Sequence, residues 1–253
     1  MKMDMTVTYT DDKVLTMPVL ETFVTLNGEG LDVGKPVTFV RLVGCNMRCT
    51  YGKERICDTP ESLVFQGQRK KKDFKHMTAK QVAEIVKAAR TKRVTLTGGE
   101  PLARVMIGQW INELSRELNH EVLIEIETNG SVDLFEQVIS KVDSKTRDMI
   151  RFTVDYKSIS SSMNSLMHYE SWTWLRKDDV IKGVVANREE MEDFVAKVRE
   201  YKPRCELILS PMFEAIEPVE IWEYIYTPEV VDLDIKFQLQ LHKFVYDPSV
   251  VGV

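Results

Sequence analysis

Apolar, β-branched runs recur along the chain at intervals of roughly 25–30 residues: Val37–Val43, Val94–Thr97, Val122–Ile126, Ile150–Val154, Val180–Val185, Glu206–Leu209 and Val231–Ile235. They predict buried parallel strands. Between most of them lie segments with helical spacing. In Ala79–Arg90, Val82, Ile85, Val86 and Ala89 share a face, and Thr78 with Gln81 forms a capping box ahead of it. Met106–Leu118, Leu134–Val142, Glu189–Tyr201 and Val219–Tyr226 follow the same pattern. Repeated strand–helix–strand units predict an α/β fold with right-handed crossovers and a parallel sheet, either open or curled into a partial or complete barrel. Functional residues then belong at the C-terminal strand ends. Two polar, turn-rich stretches, Thr50–Met77 and Ser158–Asp179, break the rhythm, and loops of this length in a compact domain are usually functional or mobile.

Composition narrows the class. At 253 residues with 43 % hydrophobic and 29 % charged positions, the chain has ordinary globular composition and enough length for a large core. With neither an internal repeat nor a clear linker, one domain over residues 1–253 is expected. Acidic residues outnumber basic ones, 39 to 34, so the net charge of −5 argues against nucleic acid as a main partner. The run Arg69–Lys72 is more simply a solvated loop. No stretch approaches the roughly 20 apolar residues of a bilayer span, and Met1–Lys13 has three acidic residues and no apolar core of a leader. A soluble, unexported, cytoplasmic protein without a membrane partner is expected, acting on a small molecule.

Three of the four cysteines, Cys45, Cys49 and Cys57, fall within 13 positions, directly after the first strong strand. Thiolates on one loop can converge on an iron–sulfur cluster or zinc, and three ligands leave a metal position open for chemistry. Cys205 stands alone before a strand and reads as a buried structural thiol. His76, His120 and His168 lack metal-ligand spacing and are expected to face solvent. At the end of the second strand, Thr97-Gly98-Gly99-Glu100-Pro101 combines glycines that permit close approach of a ligand with a carboxylate able to accept from an amino group.

The cysteine loop and the Gly98–Pro101 turn together resemble the radical S-adenosylmethionine superfamily, which implies a partial (β/α) barrel, a 4Fe–4S cluster on Cys45, Cys49 and Cys57, and S-adenosylmethionine at the remaining iron. The usual spacing, Cys-x3-Cys-x2-Cys with an aromatic before the last cysteine, is met here through Tyr51 if Gly52–Ile56 is a five-residue insertion. Further segments resemble the 7-carboxy-7-deazaguanine synthase family over nearly the whole chain. Leu26-Asn27-Gly28-Glu29, Arg41, Thr97 and His242 (in the terminal Gln238–Lys243 segment) look like its pterin-binding positions, with Asn27 in place of the usual Gln. A guanidinium such as that of Arg41 holds a carboxylate bidentately. Thr59 looks like the position that helps bind magnesium. Gly98, Gly99, Glu100, Glu127, Asp155-Tyr156-Lys157 and Ser210-Pro211-Met212-Phe213 look like contacts to S-adenosylmethionine.

The resemblance implies reductive formation of a 5′-deoxyadenosyl radical, hydrogen abstraction at C6 of 6-carboxy-5,6,7,8-tetrahydropterin, and ring contraction with loss of ammonia. It also implies an electron donor such as flavodoxin and a homodimer. The Thr50–Met77 region is the candidate cover of the cluster, or else the surface for the electron donor. A glycyl-radical enzyme activase is the competing enzyme reading, and a zinc-binding or RNA-interaction module the competing non-enzyme one.

Overall fold

Alternation, rather than continuous apolarity, builds the central strands of the computed structural model, which describes residues 8–9, 14–51, 55–57, 59–63 and 74–247. Most of the Gly52–Ile56 segment, Asp58 and the basic run Arg69–Lys72 lie outside the described residues. The chain runs β1 (Thr8–Tyr9), β2 (Leu15–Leu26), β3 (Pro36–Leu42), β4 (Thr50–Tyr51), β5 (Arg55–Ile56), β6 (Lys75–Thr78), α1 (Ala79–Ala89), β7 (Arg93–Gly98), α2 (Ile107–Glu117), β8 (Leu123–Thr128), α3 (Leu134–Gln137), α4 (Ser144–Asp148), β9 (Ile150–Tyr156), β10 (Val180–Val185), α5 (Arg188–Tyr201), β11 (Glu206–Pro211), α6 (Pro218–Ile225), β12 (Lys236–Phe237) and α7 (His242–Val245).

Ten strands form one open sheet in the order β1-β2-β3-β7-β8-β9-β10-β11-β12, with β6 also paired to β2. From β3 to β12 every pairing is parallel, whereas β2 runs antiparallel to β3. This is a partial barrel. On its outer face Val94, Leu96, Ile124, Ile126, Phe152, Val154, Ile181 and Leu209 belong to the buried apolar core, together with Trp110 of α2 and Phe194 of α5. In-register neighbours on the other face are polar: Arg41 beside Thr97, Thr95 beside Glu125, Glu127 beside Thr153, and Asp155 beside Lys182. A parallel strand covered on both faces normally carries apolar residues on both. Here one face carries polar side chains among the apolar Phe39, Val180 and Ile208.

Helix α1 has the expected capping box: Thr78 Oγ1 accepts the Gln81 N–H at 3.2 Å and Gln81 Oε1 accepts the Thr78 N–H at 2.9 Å. Three expectations need correction. The 12-residue β2 has no counterpart among the predicted strands, because Pro18 interrupts its pattern; the strand accommodates it by changing partner near a bulge between Val19 and Glu21. Leu134–Val142 is not one helix, since Val138 departs from helical geometry and α3 passes into a 3-10 turn at Ile139–Lys141. That turn lies against α2 so closely that a Cβ on Gly108 would stand 2.7 Å from the Lys141 Cβ. Val231–Ile235 is a 3-10 turn followed by Asp234 at φ +51°, which breaks an extended run, so pairing with β11 starts only at Lys236. No helix among the described residues is long and apolar enough to cross a membrane.

A buried ion cluster holds the Gly30–Lys35 turn to the sheet. Asp32 is 3 % exposed and meets Lys35 at 2.6 Å, Arg93 at 2.9 Å and Arg151 at 2.6 Å. Burial pushes its carboxyl up, but hydrogen bonds from Lys35, Arg93 and Arg151 outweigh this and hold it down at about 2. Such a group contributes its full stabilisation above its unfolded value near 4 and loses it as pH falls towards 2. The expected size is about 2 kcal/mol. Denaturant titrations of the wild type should therefore lose stability between pH of about 4 and about 2, and Asp32→Asn, less stable at neutral pH, should lack that share of the loss. Equal acid slopes would place the sensitivity elsewhere.

Candidate active site

Backbone geometry at the end of β3 presents the cysteines. Gly44, at φ +96°, donates its N–H to the Ser62 carbonyl at 2.6 Å, and its own carbonyl accepts the Glu100 N–H at 2.8 Å. Cys45 and Cys49 are buried and Cys57 half-buried, and none of the three is in a disulfide. Burial pushes the Cys45 thiol up to about 11. The loop is tied internally by the Arg48 guanidinium, which donates to the carbonyls of Cys45 at 2.9 Å and Met47 at 2.5 Å. Asn129 Nδ2 lies 3.7 Å from Cys45 Sγ and 3.0 Å from Asn46 Oδ1, joining the loop to the end of β8.

Two segments cover this loop. Leu63 and Met163 pack on Cys45, Met47 and Cys49, Met163 Sδ accepts the Arg48 N–H at 3.3 Å, and Thr50 bonds Ser162 at 3.1 Å. The polar Ser158–Asp179 stretch thus supplies part of a cover that sequence reasoning sought in Thr50–Met77 alone. Thr59 Oγ1 stands 3.7 Å from Cys57 Sγ. Among the described residues no three His, Cys, Asp or Glu side chains converge on a single-ion site.

The paired glycines at the end of β7 have a different first task from the one their sequence suggests. A Cβ on Gly98 would lie 2.1 Å from the Leu42 carbonyl oxygen, and one on Gly99 2.2 Å from that of Gly44. The close approach is that of the cysteine loop's own backbone. Glu100 is wholly buried: Oε1 accepts the Leu102 N–H at 2.9 Å and the Thr128 hydroxyl at 2.8 Å, and Oε2 accepts the Asn129 N–H at 2.6 Å. Three of a carboxylate's roughly four acceptor positions are therefore filled by protein, leaving one for a ligand amino group. Burial pushes its carboxyl up to about 7.

The polar face of the sheet continues from there. Glu127 is pushed up to about 7 by burial, against the opposing pull of Lys182 and a hydrogen bond from Thr97. Asp155 pairs with Lys157 at 3.2 Å and Lys182 at 3.3 Å. Arg41 donates through Nε to Glu21 at 2.8 Å, with its guanidinium carbon 5.8 Å from the Phe23 ring centre. Asn27 is buried and donates to Glu125 at 3.2 Å, while Glu125 Oε1 accepts from Thr153 at 2.8 Å. Glu29 accepts from Lys182 on one oxygen and from Gln240 at 2.6 Å on the other. Gln238 takes both backbone groups of Gly30, at 2.6 and 2.9 Å, and the Leu241 N–H meets the Gly28 carbonyl at 3.0 Å. The His242 ring lies so close that a Cβ on Gly28 would stand 2.5 Å from its Nδ1.

Not every candidate side chain reaches this space. Tyr156 turns to the outer face, where its hydroxyl bonds Asp193 and its ring meets Phe194 edge-on at 5.2 Å. Pro211 is in register with Val185, one position out of phase with the inward set, and the Leu26 side chain is 54 % exposed. Met212 and Phe213 are half-buried just beyond β11. Ser210 does point with the inward set, and its buried hydroxyl has no hydrogen-bond partner among the described residues. An orphaned hydroxyl at a strand end fits a bound cofactor, and three cysteines outside any disulfide on one loop system fit a soft metal cluster.

Glu21, Asn46, Glu125, Lys182 and Gln240 were not singled out by sequence reasoning. The available signal was the Ile-Glu-Ile-Glu alternation of β8, which places two carboxylates on one face of a central strand. Contrary to expectation, His120 and His168 are half-buried, bonding Ser115 at 3.0 Å and Ser171 at 2.8 Å, and only His76 of the three is exposed. Cys205 is half-buried against the core, its thiol pushed up to about 12 by burial.

Residues 39–209 match the Radical SAM superfamily. The chain is 35 % identical over 239 residues to the 7-carboxy-7-deazaguanine synthase of Clostridium acetobutylicum, covering 93 % of this chain and 98 % of the relative. It is 32 % identical to the enzyme of that name from Methanospirillum hungatei JF-1, over 90 % of this chain and 85 % of the relative. In fold it is similar to the crystal structure of QueE from Escherichia coli, with a TM-score of 0.66 at 20 % identity, covering 90 % of this chain and 95 % of that one.

Proposed function

The chain belongs to the radical S-adenosylmethionine superfamily and, within it, to the 7-carboxy-7-deazaguanine synthase family, and from that premise we propose that it contracts 6-carboxy-5,6,7,8-tetrahydropterin to 7-carboxy-7-deazaguanine with loss of ammonia. The observation that carries this reading is the meeting of Asn27–Gly30 with Gln238–His242 over a polar barrel face beside the cysteine loop. Membership brings a 4Fe–4S cluster and S-adenosylmethionine, which together supply the one-electron chemistry that no side chain provides.

The residues then divide the work of binding and exclusion. Cys45, Cys49 and Cys57 hold the cluster. Gly98, Gly99, Glu100, Glu127, Asp155, Lys157 and Ser210 line the cofactor wall, with Tyr156, Pro211, Met212 and Phe213 contributing there chiefly through backbone. Arg41 uses Nε for Glu21, which leaves its terminal nitrogens to grip the pterin carboxylate in a fork. Its stacking on Phe23 helps fix the plane of that fork. Asn27, Gly28, Glu29, Thr97 and His242, with the Leu26 backbone, form the pterin wall, where carboxylate acceptors suit the N–H edge of an aminopyrimidinone. Burial opposes the charge on Glu29, but the Lys182 ammonium and the hydrogen bonds from Lys182 and Gln240 hold its carboxyl below the usual range. Thr59 offers a hydroxyl to a magnesium ion bound with the substrate. Leu63 and Met163, over the cysteines, exclude water from the cluster side.

One domain over 1–253, a cytoplasmic location, a homodimer and a flavodoxin-like electron donor complete the proposal. No observation favours a glycyl-radical enzyme activase. Anaerobic incubation of iron-loaded protein with dithionite, S-adenosylmethionine, magnesium and the carboxylated pterin should yield 7-carboxy-7-deazaguanine by mass spectrometry, dependent on every component. Formation of 5′-deoxyadenosine without that product would keep the radical chemistry and reject the substrate.

A further inference from the structure

Lysine is among the residues least often buried, yet Lys182 projects from the middle of β10 with only 10 % of its side chain exposed. Its ammonium donates to Glu29 Oε2 and lies 3.3 Å from Asp155 Oδ1, with Glu127 as a third carboxylate whose charge reaches it. The two paired carboxylates are held from their far sides as well. Gln240 donates to the other oxygen of Glu29 at 2.6 Å, and Lys157 to the other oxygen of Asp155 at 3.2 Å. The result is one continuous chain of contacts, Gln240–Glu29–Lys182–Asp155–Lys157, that crosses the barrel interior. Without the ammonium, Glu29 and Asp155 would be like charges in a weakly screened space and would separate or take up a proton. With it, each carboxylate's position depends on the other's.

We infer that Lys182 is a positioning residue that yokes Glu29 on the pterin wall to Asp155 on the cofactor wall, so that occupation of either wall sets the other. This rests on the assignment of those two walls proposed above. A ligand that orders Glu29 orders Lys182 and hence Asp155, and binding of pterin and S-adenosylmethionine becomes reciprocally coupled. Removing the ammonium should weaken both sites and, beyond that, make them independent. Substitution of a residue that merely fills space would weaken affinities without changing their linkage.

Anaerobic calorimetry on the iron-loaded protein tests this without relying on turnover. The wild type should bind S-adenosylmethionine about 5- to 50-fold more tightly with saturating carboxylated pterin than without it. In Lys182→Met this ratio should fall to near one, and Lys182→Arg, which keeps the charge, should restore much of it. Circular dichroism and iron content check that each variant is folded and loaded; if Lys182→Met fails either check, Lys182→Gln, which keeps a donor but not the charge, takes its place. A wild type that binds S-adenosylmethionine but not the pterin overturns the functional reading and the yoke with it. A coupled wild type whose ratio survives in the neutral variant overturns the yoke alone.

Discussion

Cys57→Ala should purify as a folded chain that, after anaerobic reconstitution, retains iron near background, against about four irons and four sulfides in the wild type, while Cys205→Ala keeps the full complement. The two cysteines differ in surroundings more than in exposure. Cys57 follows β5 next to Thr59, on the same loop system as the buried Cys45 and Cys49. Cys205 packs against the apolar core just before β11, at the opposite end of the parallel sheet from the loop that follows β3. Removing a half-buried thiol makes only a small cavity, so loss of iron from Cys57→Ala reports on ligation rather than on folding. Product formation should vanish with the iron. The reverse pattern, iron lost from Cys205→Ala and kept in Cys57→Ala, would mean that the inserted Gly52–Ile56 segment carries the third ligand out of reach and that another residue supplies it.

Gly98→Ala should be the most damaging single-methyl addition near the site. At φ +130° an L side chain is strained, and the added carbon would stand 2.1 Å from the Leu42 carbonyl oxygen and 2.5 Å from the Leu42 nitrogen. Both are backbone atoms of β3, locked in register with β7, so relief requires parting two central strands. A loss of about 3–5 kcal/mol is expected, a large share of an ordinary domain's total of about 5–15. Gly34→Ala is the control. Gly34 also has positive φ, at +78°, but nothing lies within 4 Å of the added carbon, so about 1–2 kcal/mol of backbone strain is the whole effect. Equal shifts of the two denaturation midpoints would show that conformation, not the seating of the cysteine loop, dictates glycine at 98.

The parallel strands were legible because Val94–Thr97, Ile150–Val154 and Val180–Val185 are short and β-branched, and because a capped helix precedes the first of them and another follows the last. β2 was not. Its Pro18 and mixed polarity reflect two different sets of neighbours along one strand, information that resides in β3 and β6 rather than in β2 itself. The cysteine loop and the Gly98–Pro101 turn stood out as local motifs. The polar barrel face did not, because Glu127 and Thr153, like Asp155 and Lys182, come from separate strands, and only the parallel register brings each pair side by side. The task of Glu100 was half legible: its residue type suggests an acceptor, but its protein partners Thr128 and Asn129 lie 28 and 29 positions away. Lone residues whose meaning depends on long-range pairing are hidden from any local reading.

The clasp between the Asn27–Gly30 turn and the Gln238–Leu241 segment also sets an order of events during synthesis. Gly30 and Gln238, which bond twice, are 208 positions apart, and Glu29 and Gln240 are 211 apart. At translation rates of about 5–20 residues per second, the Gly30 amide waits on the order of 10–40 s for its glutamine. During that interval β3 can already pair with β7, and the cysteine loop can already seat on Gly98 and Gly99, since every residue involved lies before position 101. The part of the cysteine loop's seat that rests on β7 is therefore made long before the Gln238–Leu241 segment that straps the Gly28–Gly30 turn. Seating of the cysteine loop on β7 and closure of that strap are separated in time by the length of the chain itself.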